Sequence, residues 1–129
     1  MFYEVTVTHE NDKGRNVQQR YIVSGCNTFT EAEAKAFGMF NGECDVTAIR
    51  RSPIREFANE GDNSMAIYIA TIADIFTRDD GTEKEMLYKV AIWAEDMQHA
   101  QHTASEYMQQ GLEDMKLKGI NQTKFIDVI

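Results

Sequence analysis

Asp12-Lys13-Gly14 returns late in the chain as Asp79-Asp80-Gly81, and the residues around the two tripeptides return with them. The shift that superimposes the tripeptides also carries Tyr21 onto Tyr88 and Val23 onto Val90. A slightly larger shift takes Thr28 to Asp96, Phe29 to Met97, Ala32 to Ala100 and Ala36 to Ala104. A larger one still takes Val46 to Leu117, Ile49 to Ile120, Ser52 to Thr123 and Ile54 to Phe125. The shift grows only where loops absorb insertions, so the order of features is kept. Such an order marks an internal duplication, and a duplication sets the architecture.

Each matched feature has a structural meaning. Tyr3, Val5 and Val7 alternate with Glu4, Thr6 and Thr8, the period of a half-buried strand. Gly14 suits a hairpin loop that needs a positive φ, and residues 19–24 read as the returning strand. Thr28 followed by Glu31 is a capping box for a helix reaching about Phe40, which Asn41-Gly42 ends. Residues 45–54 are a third strand. In the second copy, residues 65–76 form a long strand that is apolar on both faces, with Ile67, Ile69 and Ile75 on one and Tyr68, Ile72 and Phe76 on the other. A strand of that kind belongs inside a sheet. Residues 84–95 return from it, Asp96 caps a helix over 97–110, Gly111 stops that helix, and a last strand runs from Met115 to the end with a bend near Asn121.

The expected fold is α+β: two tandem ββαβ repeats, 1–56 and 65–129, joined by a linker at 57–64 and sharing one core as a single domain. Half a chain of this size is marginal alone, so the mostly antiparallel strands are expected in one six-stranded sheet or in two packed three-stranded sheets, with the two helices.

Composition limits the function classes. A chain of 129 residues that is 43% apolar can bury a core without staples. Residues 1–10 alternate and lack the basic start and apolar run of a signal peptide, and no stretch approaches the ~18 apolar residues that cross a bilayer. Cys26 and Cys44 have no metal-type spacing and read as a reduced pair, which points to the cytoplasm. The net charge of −8 argues against general nucleic-acid binding, which rests on neutralising phosphates. A local basic pocket remains compatible with it.

Phe29-Thr30-Glu31-Ala32-Glu33-Ala34, the strand bearing Val46 and Ile49, and the closing Lys124-Phe125-Ile126-Asp127-Val128 resemble an uncharacterised family of duplicated ββαβ proteins found in Bacteroidetes bacteria, their phages and mobile elements. The resemblance covers nearly the whole chain and falls on capping and strand positions. It implies the fold and a phage or mobile-element setting, and it implies no activity. The second helix departs from the pattern, since Gln98-His99-Ala100-Gln101-His102 is more polar than its counterpart.

Few constellations carry chemistry. His99 and His102 with Glu95 and Glu106 could hold a divalent metal on one helix face, but only two firm ligands are local, and a solvated face with local His–Glu contacts is the favoured reading. No nucleophile–base arrangement and no phosphate-binding glycine loop is recognisable. The expectation is a non-enzymatic protein without cofactor or metal. The third strands and their extensions hold Arg50, Arg51, Arg55, Lys116, Lys118 and Lys124, a large share of the cations in an acidic chain. If those strands lie side by side they form a basic strip, with Trp93 or Tyr68 as a stacking surface; the ordinary alternative is charge that protects sheet edges. The ligand-binding candidates are therefore Arg50, Arg51, Arg55, Lys124, Trp93 and Tyr68. They point to sequestration of a small anionic ligand such as a nucleotide signal. The competing reading is an acidic inhibitor or accessory protein acting on a host protein. A homo-oligomer is compatible with either, and no membrane partner is expected.

Overall fold

A computed structural model describes residues 1–111 and 114–129. The chain is α+β, with elements β1 (Tyr3–Glu10), β2 (Asn16–Val23), α1 (Phe29–Met39), β3 (Asp45–Arg51), β4 (Ile54–Phe57), β5 (Ala66–Thr77), β6 (Glu83–Ala94), α2 (Met97–Gln109), β7 (Asp114–Gln122) and β8 (Phe125–Val128). They divide into two compact units: Met1–Pro53 with Lys124–Ile129, and Ile54–Thr123.

In the first unit the strand order is β3-β1-β2-β8. β1 is antiparallel to β2 and β3, and β8 runs parallel to β2. Alternation along β1 and β2 puts Tyr3, Val5, Val7, Tyr21 and Val23 on the face that meets Ala32 and Ala36 of α1, a buried cluster that Cys26 joins. Burying each Val completely contributes roughly 1.5–3 kcal/mol. The alanines keep the helix close to the sheet. Cys26 and Cys44 are both free thiols.

The second unit has the order β4-β6-β5-β7, the same plan. Tyr68, Ala70, Ile72, Val90, Ile92 and Ala94 meet Ala100 and Ala104 of α2. β5, apolar on both faces, lies between β6 and β7 as its sequence requires. Among the described residues no helix is long and apolar enough to cross a membrane.

Irregular features repeat along with the regular ones. The register slips between Thr6 and Val7 in one unit and between Thr71 and Ile72 in the other. The Ser52 amide donates to the Phe2 carbonyl at 2.8 Å, as Thr123 does to Ile67 at 2.9 Å. Gly14 and Gly81 take φ of 74° and 84° at matched turns, a conformation that costs other residues 1–2 kcal/mol or so. One sequence match needs correcting. Val5 lies opposite Tyr21 and Ala70 opposite Val90, so Tyr21 corresponds to Val90 and Val23 to Ile92. The hairpin strands have 8 residues in the first unit and 12 in the second. A slip of two positions keeps every side chain on its face, so alternation alone cannot detect it.

The third strands also differ from expectation. Each breaks in two, at Ser52-Pro53 and at Thr123-Lys124, and the short terminal pieces go to the opposite sheets. β4, which follows β3 in sequence, runs parallel to β6; β8, which follows β7, runs parallel to β2. The sheets are therefore four-stranded, and the expected linker, residues 57–64, falls within the second unit. There the Ala58 amide donates to Ala91, and the Asn59 side chain accepts from the Trp93 amide and donates to its carbonyl. Pro53, with no N–H, cannot continue a ladder, which fixes the first break.

Both helix starts are capped as their sequences suggest. Thr28 Oγ1 accepts from the Glu31 amide at 3.1 Å, and Glu31 Oε2 accepts from the Asn27 amide at 2.9 Å. Asp96 Oδ1 accepts from the His99 amide at 2.8 Å. Replacing Thr28 by Ala is expected to cost about 1 kcal/mol in a urea melt; an unchanged midpoint would show that the hydroxyl contributes nothing to the helix start.

Candidate functional site

Glu4 is a buried carboxylate of the first unit. It lies on the polar side of the β1 alternation, on the sheet face away from α1, yet its side chain is only 4% exposed. A buried carboxylate is tolerated only when its charge is met by donors. Arg50, directly opposite on β3, donates to Oε1 from Nε at 2.6 Å, and its Nη2 is 2.5 Å from the same oxygen. Ser52 Oγ donates to Oε2 at 3.0 Å. Arg20, diagonal to Glu4 on β2, brings Nη2 to 3.9 Å while its guanidinium covers the Phe125 ring at 4.6 Å. Glu4, Thr6, Arg20, Ala48, Ile49 and Arg50 line a cavity of about 280 Å³.

The arrangement is asymmetric between the two units. The ladders align Glu4 with Ile69, Arg20 with Lys89 and Arg50 with Asn121. The second copy thus has the frame without the carboxylate or the arginine pair. Chemically, the cavity combines two guanidiniums with one carboxylate that is already engaged. Glu4 holds Arg50 by one edge and Phe125 holds Arg20 by its face, which leaves further N–H donors for an anion. Preorganised forks of this kind suit phosphate or carboxylate oxygens. The volume sits at the lower end of small-molecule sites, the size of a phosphate-bearing fragment.

No strand ladder joins the other sequence candidates to this cleft. β3 and β7 are edge strands of different sheets, one beside β1 and the other beside β5, so no ladder makes them a continuous basic strip. Arg50 and Arg51, neighbours on one strand, take opposite faces; Arg51 Nε and Nη2 donate to Met1 Sδ at 3.0 and 2.8 Å. Lys124 is exposed between β7 and β8. Lys118 pairs with Glu85 at 2.8 Å. Tyr68 is buried under α2, and Trp93 is buried on the opposite side of β5–β6, stacked on Phe57 at 6.3 Å. Neither ring is offered to a base. Arg20 and Glu4 were missed because only the β1–β2 and β1–β3 registers place them beside Arg50.

Arg55 belongs to a separate cluster in the second unit. Its guanidinium lies over Tyr88 at 4.4 Å, and the Tyr107 hydroxyl donates to Glu56. Burial, then Glu56, holds the Tyr107 phenol far above the usual tyrosine range; burial, then the Asp74 charge, raises Tyr88. The histidines of α2 make local contacts: His99 Nδ1 accepts from the Glu95 amide at 3.1 Å, and His102 Nε2 is 3.0 Å from Glu106. Among the described residues no three metal-ligating side chains converge.

Fold and cleft together define a duplicated α+β protein whose two repeats give their terminal strands to opposite sheets and in which, among the described residues, the ion-paired cleft occurs in the first unit alone. The chain belongs to the family described as a domain of unknown function, DUF4494, which matches residues 1–129. No curated protein and no solved structure matches it.

Proposed function

We propose that this protein is a non-enzymatic, cytoplasmic binding protein that sequesters a small anionic ligand, with a nucleotide signal as the leading class, against Arg20 and Arg50 of the first unit. The supporting observation is the convergence of two anchored guanidiniums on one small cavity. An acidic protein repels anions at long range, so capture has to come from a local cluster of oriented donors. The family resemblance adds the setting, an accessory factor of a phage or other mobile element.

A thermal-shift panel of inorganic phosphate and mono-, di- and cyclic nucleotides tests the reading. A ligand at 100 times its dissociation constant adds about 2.7 kcal/mol of stability. Arg20→Lys and Arg50→Lys keep a positive charge near Glu4 but lose the planar fork. Each is expected to reduce the ligand-induced shift while leaving the unliganded melt close to that of the parent. A panel without any shift, or a shift that survives both substitutions, rules out this site.

A further inference from the structure

The β6 strand is paired unequally along its two sides. Toward β5 its ladder is unbroken from Ala94, opposite Ala66, to Glu83, opposite Thr77. Toward β4 it reaches only Lys89, Val90 and Ala91. Among the described residues, then, the main chain of residues 83–88 has one strand neighbour. In an antiparallel ladder alternate residues turn their N–H and C=O outward, so this run presents an unused hydrogen-bonding edge.

Sheet edges in soluble proteins are normally blunted by charge, a bulge or proline. The β3 edge has Arg50 and Arg51 and a register slip against β1; the β7 edge has Lys116 and Lys118 and a slip against β5. The run Glu83-Lys84-Glu85-Met86-Leu87-Tyr88 carries charge only in its first half, so Met86, Leu87 and Tyr88 lack it, and the run has no proline and no slip. Met86 is 53% and Leu87 62% exposed, and as neighbours on a strand they lie on opposite faces. The corresponding run in the first unit, ahead of the residue where β8 joins β2, is Asn16-Val17-Gln18-Gln19. It is shorter and more polar. Around the second hairpin Glu85 is paired with Lys118, and the remaining exposed acids Asp79, Asp80 and Glu83 outnumber the exposed bases Arg78 and Lys84.

We infer that residues 83–88 form a strand-addition site for an extended, basic segment of a partner protein. The added strand hydrogen-bonds along the free edge and lays apolar side chains against Met86 and Leu87, the way extended peptides join exposed sheets. The surrounding acids draw in a basic segment and repel an acidic one. This site gives the protein-partner reading a defined surface, and it stands whether or not the Arg20–Arg50 cleft takes an anion.

The test uses the full chain and two short labelled peptides, one alternating lysine with valine and the other glutamate with valine. Fluorescence anisotropy is expected to give binding of the lysine peptide alone. Leu87→Lys, a change at an exposed position, should weaken it about tenfold by placing like charge on the edge. Amide hydrogen exchange should slow within residues 83–88 when the lysine peptide is present. Equal binding of both peptides, an unaffected Leu87→Lys variant, or exchange slowed elsewhere would overturn the inference. So would concentration-dependent dimerisation abolished by Leu87→Lys, which would make a second copy of the chain the occupant.

Discussion

Arg50→Asn is expected to lower stability by about 3 kcal/mol, and adding Glu4→Ile to the same chain is expected to restore most of it. Arg50 is 69% exposed and loses little in its own right. The cost falls on Glu4, left in a 4% exposed position with its nearest cation removed. Breaking a buried pair from one side strands a charge, whereas removing both charges leaves none to solvate. Ser52 at 3.0 Å and Arg20 at 3.9 Å still face the carboxylate, which keeps the expected loss near the lower end of the usual range. The second unit supplies the design of the repair, because Ile69 and Asn121 occupy the positions of Glu4 and Arg50 there. Urea denaturation of parent, both single variants and the double variant completes the cycle. If the double variant is as weak as the sum of the singles, the two side chains are not coupled and the cleft geometry is wrong.

Phe125→Ala should also cost about 3 kcal/mol, because large-to-small changes at buried aromatics leave a cavity as well as losing burial. Phe125 is 7% exposed, and its ring supports the Arg20 guanidinium. The informative part is where the damage appears. Since β8 pairs with β2 through Arg20, Tyr21 and Ile22, hydrogen exchange should quicken on that stretch of β2 and leave β6 protected. Faster exchange in β6 instead would mean that β8 belongs with the second unit and that the terminal strands are not exchanged. The same substitution removes a support of Arg20, so the anion response should weaken along with β8.

Much of the local structure was legible because it depends on neighbours in sequence. The capping residues Thr28 and Asp96, the turn glycines Gly14 and Gly81, and the alternation of Tyr3, Val5 and Val7 each act within a few residues, and all sit where the sequence suggests. Apolarity on both faces of residues 65–76 pointed to a strand covered on both sides, and β5 lies between β6 and β7. For the binding candidates the position was different. Arg50, Arg51, Arg55, Lys124, Trp93 and Tyr68 were grouped on the assumption that the two third strands are neighbours.

By itself, then, the sequence determined a duplicated α+β chain, the caps, turns and faces of its elements, and an acidic surface. The tertiary structure alone decided that β4 and β8 cross to opposite sheets, that Arg50 meets Glu4 while Arg51 turns away, and that residues 83–88 of β6 pair on one side only among the described residues. The reason is physical. Helix caps and strand alternation are set by hydrogen bonds and sterics between residues close in the chain, so their signals survive in a single sequence. Strand partners are chosen by main-chain hydrogen bonds that are the same for nearly every residue type, and a slip of two positions preserves every face. Only the competition among whole arrangements for burial selects one register, and that register is what sets Glu4 between Arg20 and Arg50.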